Sequence, residues 1–257
     1  MAKKGQNVWY DLTTSDPAGA TRFYGEVVGW KTQEWPDSDP NMPYTMWMVG
    51  DRPVGGVMAM PPGVTTPHWM SYTRVDDVDA TAEQAKKLGG SVHSGPGDIP
   101  KVGRFAVLAD PQGAAFAVLK PLEDMPQVKP EIGDFGWSEL NTTDYESAWK
   151  FYSALFGWQH TESMDMGPGM GIYFMFNDPD GVTKGGMSNM AKAMKMSAHW
   201  LHYVTVDEVA AAVERVKSKG GTVLNGPMDV PGGDQIAQCQ DPQGAFFAIY
   251  AAGKNKK

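Results

Sequence analysis

The chain has 257 residues, 30 acidic against 22 basic for a net charge of −8, and 42% hydrophobic residues. This composition predicts two ordinary globular domains, and the lack of a Lys/Arg stripe argues against nucleic acid or an anionic membrane as partner. Cys239 is the single cysteine, which excludes an intrachain disulfide framework and a thiolate-rich metal site; with no apolar run of spanning length, a cytoplasmic location is expected.

In chain order, Val8 to Thr14 alternates as a strand, and Ser15-Asp16-Pro17 opens a helix that should turn Ala18, Phe23, Tyr24 and Val27 inward and end at Gly29. Short strands follow at Lys31 to Trp35, Thr45 to Val49 and Val54 to Met60. A second unit begins at His68 to Val75. Asp77 caps the helix Val78 to Leu88, Gly89-Gly90 stops it, and strands are expected at Ser91 to His93, Arg104 to Leu108 and Ala114 to Leu119. Both units have the order βαβββ. Lys120 to Gly133, with three prolines, has the composition of a linker, so domains are expected at 1–122 and 134–257 with 123–133 between them.

After the linker the pattern restarts. Asp16, Phe23-Tyr24 and Gly29-Trp30 return as Asp144, Phe151-Tyr152 and Gly157-Trp158, while His68-Trp69, Tyr72 and Gly95-Pro96 return as His199-Trp200, Tyr203 and Gly226-Pro227. Each half also carries one turn before an apolar strand, Asp110-Pro111-Gln112-Gly113 and Asp241-Pro242-Gln243-Gly244. Pro fixes φ in such a turn, Asp bonds back to the backbone, and Gly is free to take a positive φ. The repeat predicts an α+β protein of four βαβββ units in two tandem domains, each a sheet with helices on one face and a cleft on the other.

This set of an Asp-capped helix with Phe-Tyr and Gly-Trp, followed by a late Asp-Pro-Gln-Gly turn, resembles the vicinal oxygen chelate superfamily, which includes glyoxalase I, extradiol dioxygenases and bleomycin resistance proteins. The resemblance implies the fold more strongly than any one chemistry. Catalytic members hold a divalent ion with His or Glu on the first strand of each unit and Glu on the last. Carried over, those positions fall on Trp9, Met70 and Ala117 in the first half and on Trp137, Leu201 and Ala248 in the second. None supplies an N or O donor, so neither a metal nor another cofactor is expected. His199 and His202 lie three apart on a strand and point to opposite faces. His68 and His199 could join Asp11 or Glu139 in a relocated site, but their recurrence favours local hydrogen bonding.

Strand parity places Asp11 and Thr13 on the face of Trp9, and Glu139 and Asn141 on that of Trp137, with Met70, Tyr72 and Arg74 and their counterparts Leu201, Tyr203 and Thr205 joining them. Such a lining of aromatic and sulfur side chains around a carboxylate suits a small apolar or aromatic molecule. Two function classes lead: a metal-free binding protein, and an enzyme of lyase, isomerase or oxygenase type using Asp11 or Glu139 as base with Tyr72 or Tyr203 as acid, or a relocated ion. Burial should raise the pKa of both carboxylates unless a cation such as Arg74 offsets it. The Met-rich run Ser163 to Met196 is expected to be gap-filling around a flexible loop, Gly55-Gly56 and Gly185-Gly186 to be strand starts needing close approach, and Cys239 to be an inert thiol. The chain is expected to be a monomer or homodimer.

Overall fold

The computed structural model describes residues 1–125 and 130–253. Four βαβββ units follow in order: β1 (Asn7–Thr14), α1 (Pro17–Val27), β2 (Lys31–Glu34), β3 (Tyr44–Val49) and β4 (Arg52–Ala59); then β5 (His68–Arg74), α2 (Val78–Lys87), β6 (Ser91–Ile99), β7 (Gly103–Ala109) and β8 (Ala115–Pro121). The second half repeats them as β9 (Phe135–Asn141), α3 (Tyr145–Phe156), β10 (Gln159–Asp165), β11 (Ile172–Asn177) and β12 (Thr183–Ser188), a short α4 (Met190–Met194), and β13 (His199–Thr205), α5 (Val209–Ser218), β14 (Thr222–Asp229), β15 (Gln235–Gln240) and β16 (Phe246–Ala251). The α+β class follows directly. Part of the segment expected as a linker, residues 126–129, lies outside the described residues.

The helix starts obey the expected chemistry. Asp16, Asp77 and Asp144 accept from Gly19 N, Ala80 N and Ser147 N at 2.9, 2.9 and 3.1 Å, satisfying backbone donors that a first turn leaves open. At α5 the cap residue is Glu208, without a side-chain cap bond, and the neighbouring Asp207 accepts from Arg215 at 2.6 Å. Helix α1 buries Ala20, Phe23, Tyr24 and Val27, while Ala18 is exposed. The inward stripe runs i, i+3, i+4, i+7 from Ala20, which turns position 18 away.

Two further expectations change. Strand β6 extends to Ile99 rather than stopping at His93, because register shifts after Val92 and Ser94 let pairing with β7 resume beyond Gly95-Pro96. The Met-rich run is largely ordered as β10, β11, β12 and α4, with Met187 fully buried and Met164 and Met175 partly so; Met166, Met170 and Met194 are exposed.

Two compact units form, and each takes half of each repeat. One comprises 1–9, 70–128 and 138–200; the other comprises 10–69, 129–137 and 201–257. In the first, the strand runs are β5-β8-β7-β6 and β10-β11-β12-β9, and one core gathers Val78, Ala82 and Ala85 of α2, Phe151, Tyr152 and Leu155 of α3, and strand residues such as Leu108, Phe116 and Leu140. In the second, the runs are β2-β3-β4-β1 and β13-β16-β15-β14, with α1 and α5 packed on Leu12, Trp47, Val57, Ala237 and Ile249.

The recurring motifs seal these two cores. In the first unit Trp200 Nε1–H donates to Tyr152 Oη at 3.0 Å, and Tyr152 donates to Asp110 Oδ2 at 3.2 Å, while Asp110 Oδ1 accepts Gln112 N and Ala114 N, both at 2.9 Å. In the second unit Trp69, Tyr24 and Asp241 form the same chain at 2.9 and 3.1 Å. The Asp of each Asp-Pro-Gln-Gly turn is thus held by the Tyr of the other repeat's Phe-Tyr pair. Burial pushes both tyrosine hydroxyls well above their ordinary value and raises both aspartates, against which the backbone donors pull. The Gly-Trp tryptophans act alike, Trp30 donating to Gly133 O and Trp158 to Gly5 O, each at 2.8 Å.

Candidate functional site

The sheet face opposite the helices carries the candidate residues. On β1, Leu12 enters the helix-side core and Asp11 and Thr13 take the other face. Register then fixes their neighbours. Asp11 pairs with Gly56 on β4, which pairs with Met46 on β3; the next row is Thr13, Met58 and Tyr44. Tyr44 therefore lies diagonally across Gly56 from Asp11, and its hydroxyl donates to Asp11 Oδ1 at 2.5 Å. Glycine is what leaves room for the ring, since a Cβ on Gly56 would stand 2.1 Å from the Tyr44 Cζ. The neighbouring Gly55 serves close approach too: its Cβ would meet the Tyr10 carbonyl oxygen.

The third unit repeats this arrangement. Glu139, Gly186 and Met175 form one row and Asn141, Ser188 and Tyr173 the next. Tyr173 Oη donates to Glu139 Oε2 at 3.2 Å, and a Cβ on Gly186 would stand 2.3 Å from the Tyr173 Cζ. Asp11 is 5% exposed, whereas Glu139 is half-buried. Strand parity singles out Tyr72 and Tyr203 as the tyrosines of this face and does not reveal Tyr44 and Tyr173, which make these contacts. Their recurrence with the Gly-Gly pairs, 129 and 130 residues on against 128 for the carboxylates, was the signal available.

The other expected site residues fall into local groupings. Met70, Tyr72, Ala117 and Leu119 are buried together with half-buried Trp9 and Phe105 against them; Leu201, Tyr203 and Ala248 are buried with Trp137, Phe246 and Tyr250. Tyr203 Oη accepts from Gln238 Nε2 at 3.1 Å. Arg74, expected beside a carboxylate of the face, directs its guanidinium to Asp76 at 3.3 Å and Asp124 at 3.9 Å. His68 Nδ1 lies 2.9 Å from the Thr66 carbonyl and His199 Nδ1 2.9 Å from that of Ser197. A carbonyl can only accept, so both rings carry their proton on Nδ1, and the Thr13 hydroxyl, 3.3 Å from His68 Nδ1, shares that donor. His202 points the other way and packs edge-on against Tyr10. Cys239 is buried, and burial pushes its thiol up to about 12, far from a nucleophile's range.

The divalent ion that the resemblance implies does not fit these residues. The positions that would ligate it are two indoles, a thioether, a leucine and two alanines set in apolar clusters, and among the described residues no group of three or more His, Cys, Asp or Glu side chains could hold an ion.

A family model described as the Glyoxalase/Bleomycin resistance protein/Dioxygenase superfamily matches residues 7–118 and again 134–249. A protein named as a glyoxylase, CFP32, from Mycobacterium tuberculosis (strain CDC 1551 / Oshkosh) is 31% identical, covering 96% of this chain and 95% of its own. The anthracycline biosynthesis protein DauV from Streptomyces sp. (strain C5) is 30% identical, covering 95% and 92%. The fold is shared with the Mn(II)-bound glyoxalase from Novosphingobium aromaticivorans, at a TM-score of 0.65, 14% identity, and coverage of 98% of this chain and 83% of that one. With the model matched in both halves and relatives covered nearly end to end, the chain belongs to the Glyoxalase/Bleomycin resistance protein/Dioxygenase superfamily.

Proposed function

We propose that this chain binds a small apolar or aromatic molecule bearing a polar head group, without using a metal ion. The observation that carries the proposal is the pair of carboxylate and tyrosine, Asp11 with Tyr44 and Glu139 with Tyr173, built twice on faces that also present Met46 and Met175. A carboxylate acceptor oriented by a tyrosine hydroxyl fixes a head group that carries donors, and polarisable thioethers suit a flat apolar body. The DauV relative is named for anthracycline biosynthesis, and an anthracycline is itself a planar aromatic molecule.

A second reading draws on the 2.5 Å contact. A carboxylate and a phenol in direct contact give a base and an acid side by side, the parts needed to move a proton from an acidic C–H in an isomerase- or lyase-type reaction. Chelator-treated protein should be screened against aromatic metabolites by thermal shift, where a ligand raises the melting temperature. With a hit in hand, Asp11→Asn or Glu139→Gln should weaken binding about tenfold or more, the worth of one charge-assisted hydrogen bond. Unchanged affinity in both variants would place the function elsewhere. Deuterium exchange into the ligand, lost in the same variants, would select the enzymatic reading.

A further inference from the structure

The two carboxylate faces differ in one respect that chooses between them. On the first, the residue two along from the carboxylate is Thr13, and its hydroxyl is engaged by His68. On the second, that residue is Asn141, 5% exposed, and its Oδ1 is buried with no hydrogen-bond partner. A buried amide oxygen left unpaired costs free energy, and nothing in β-strand geometry requires one at this position. The same sheet row accepts threonine in the other repeat.

We infer that the face formed by Glu139, Asn141 and Tyr173 is the working ligand site, and that it takes an aromatic molecule carrying a primary amine. This rests on the small-molecule reading above and sharpens it. Glu139 and Asn141 are next neighbours on one side of β9, about 6.6 Å apart at the usual strand rise, so a group placed between them meets a carboxylate and an amide oxygen. Both are acceptors. An ammonium offers three N–H donors and a positive charge, so it satisfies the orphaned Oδ1 while its charge sits beside the Glu139 carboxylate, with the Tyr173 hydroxyl oxygen as a further acceptor. A carboxylate-bearing ligand would meet only repulsion from Glu139 there. The half-buried position of Glu139 leaves it reachable, and Met175, in the Glu139 row on the same face, offers a soft surface for the ring.

The test titrates 2-phenylethylamine, and its anionic counterpart 3-phenylpropionate, into the full chain by calorimetry. Wild type should bind the amine saturably and ignore the acid. Asn141→Val should weaken amine binding at least tenfold while melting no lower than wild type, because it removes an unsatisfied acceptor; a residue kept for structure would instead lower the melting point. Asn141→Asp, which retains an oxygen at that place and adds charge, should bind the amine as well as wild type or better. Wild-type affinity in Asn141→Val overturns the inference, and if Asp11→Asn then loses binding, the general reading stands with the ligand on the first repeat. If neither compound binds, or only 3-phenylpropionate does, the amine site is refuted; hits from other aromatic classes would keep the general reading, and their absence would end it too.

Discussion

At the scale of single residues, Gly56 and Gly186 leave room for a neighbour's ring. Each lacks the one atom that would collide with the tyrosine reaching over it to a carboxylate, at 2.1 Å for Tyr44 and 2.3 Å for Tyr173. Gly56→Ala should therefore destabilise the fold by about 1–3 kcal/mol, the usual penalty for overpacking. Tyr44→Ala on the same chain should recover part of that loss, since the clash then has no partner; urea unfolding of the four members of the cycle measures it. Additive losses would show that the ring does not lie over Gly56. The carboxylates themselves were legible from strand parity, and their tyrosines were not, because a residue on β3 meets β1 only diagonally across a strand whose register the sequence does not state.

At the scale of elements, the Asp-Pro-Gln-Gly turns are the points where strands, helices and indoles are tied together. Their side chains accept two backbone donors and one tyrosine while buried, and burial prevails, so Asp110 and Asp241 sit above the ordinary aspartate value of 3.8. A folded-state pKa above the unfolded one contributes stability that is complete below about 3.8 and fades as pH climbs through the folded value. The Asp110→Asn/Asp241→Asn variant lacks that titration. Its deficit relative to wild type should accordingly be larger at pH 4 than at pH 6.5 in urea unfolding, and a deficit that grows with pH would contradict the assignment. The turn and the apolar strand after it were plain in the sequence, as were the Asp caps of α1, α2 and α3. Length was harder to see at β6, where Gly95-Pro96 looks like a strand end but the bulges carry pairing past it.

At the scale of the whole molecule, the repeats seen in the sequence and the units seen in the packing divide the chain differently. Each core needs both repeats: Asp110 is held by Tyr152 and Asp241 by Tyr24, and α2 shares a core with α3 as α1 does with α5. Repetition along a chain reveals what folds alike, whereas which half supplies a partner's tyrosine depends on contacts far apart in sequence. Residues 1–122 expressed alone should therefore fail to give a cooperatively folded monomer, and should either stay unfolded or pair with a second copy; sedimentation and circular dichroism decide this, and a stable monomer would refute it. The proposed function turns on metal independence, for which the support is the lack of N or O donors at Trp9, Met70 and Ala117 and at Trp137, Leu201 and Ala248, the ligand positions implied by the family resemblance. Its most direct test is calorimetric titration of Mn(II), the ion of the structurally similar glyoxalase, into chelator-treated protein. The account predicts no saturable stoichiometric binding, and one tightly held ion per chain, abolished by Glu139→Gln or Asp11→Asn, would contradict it.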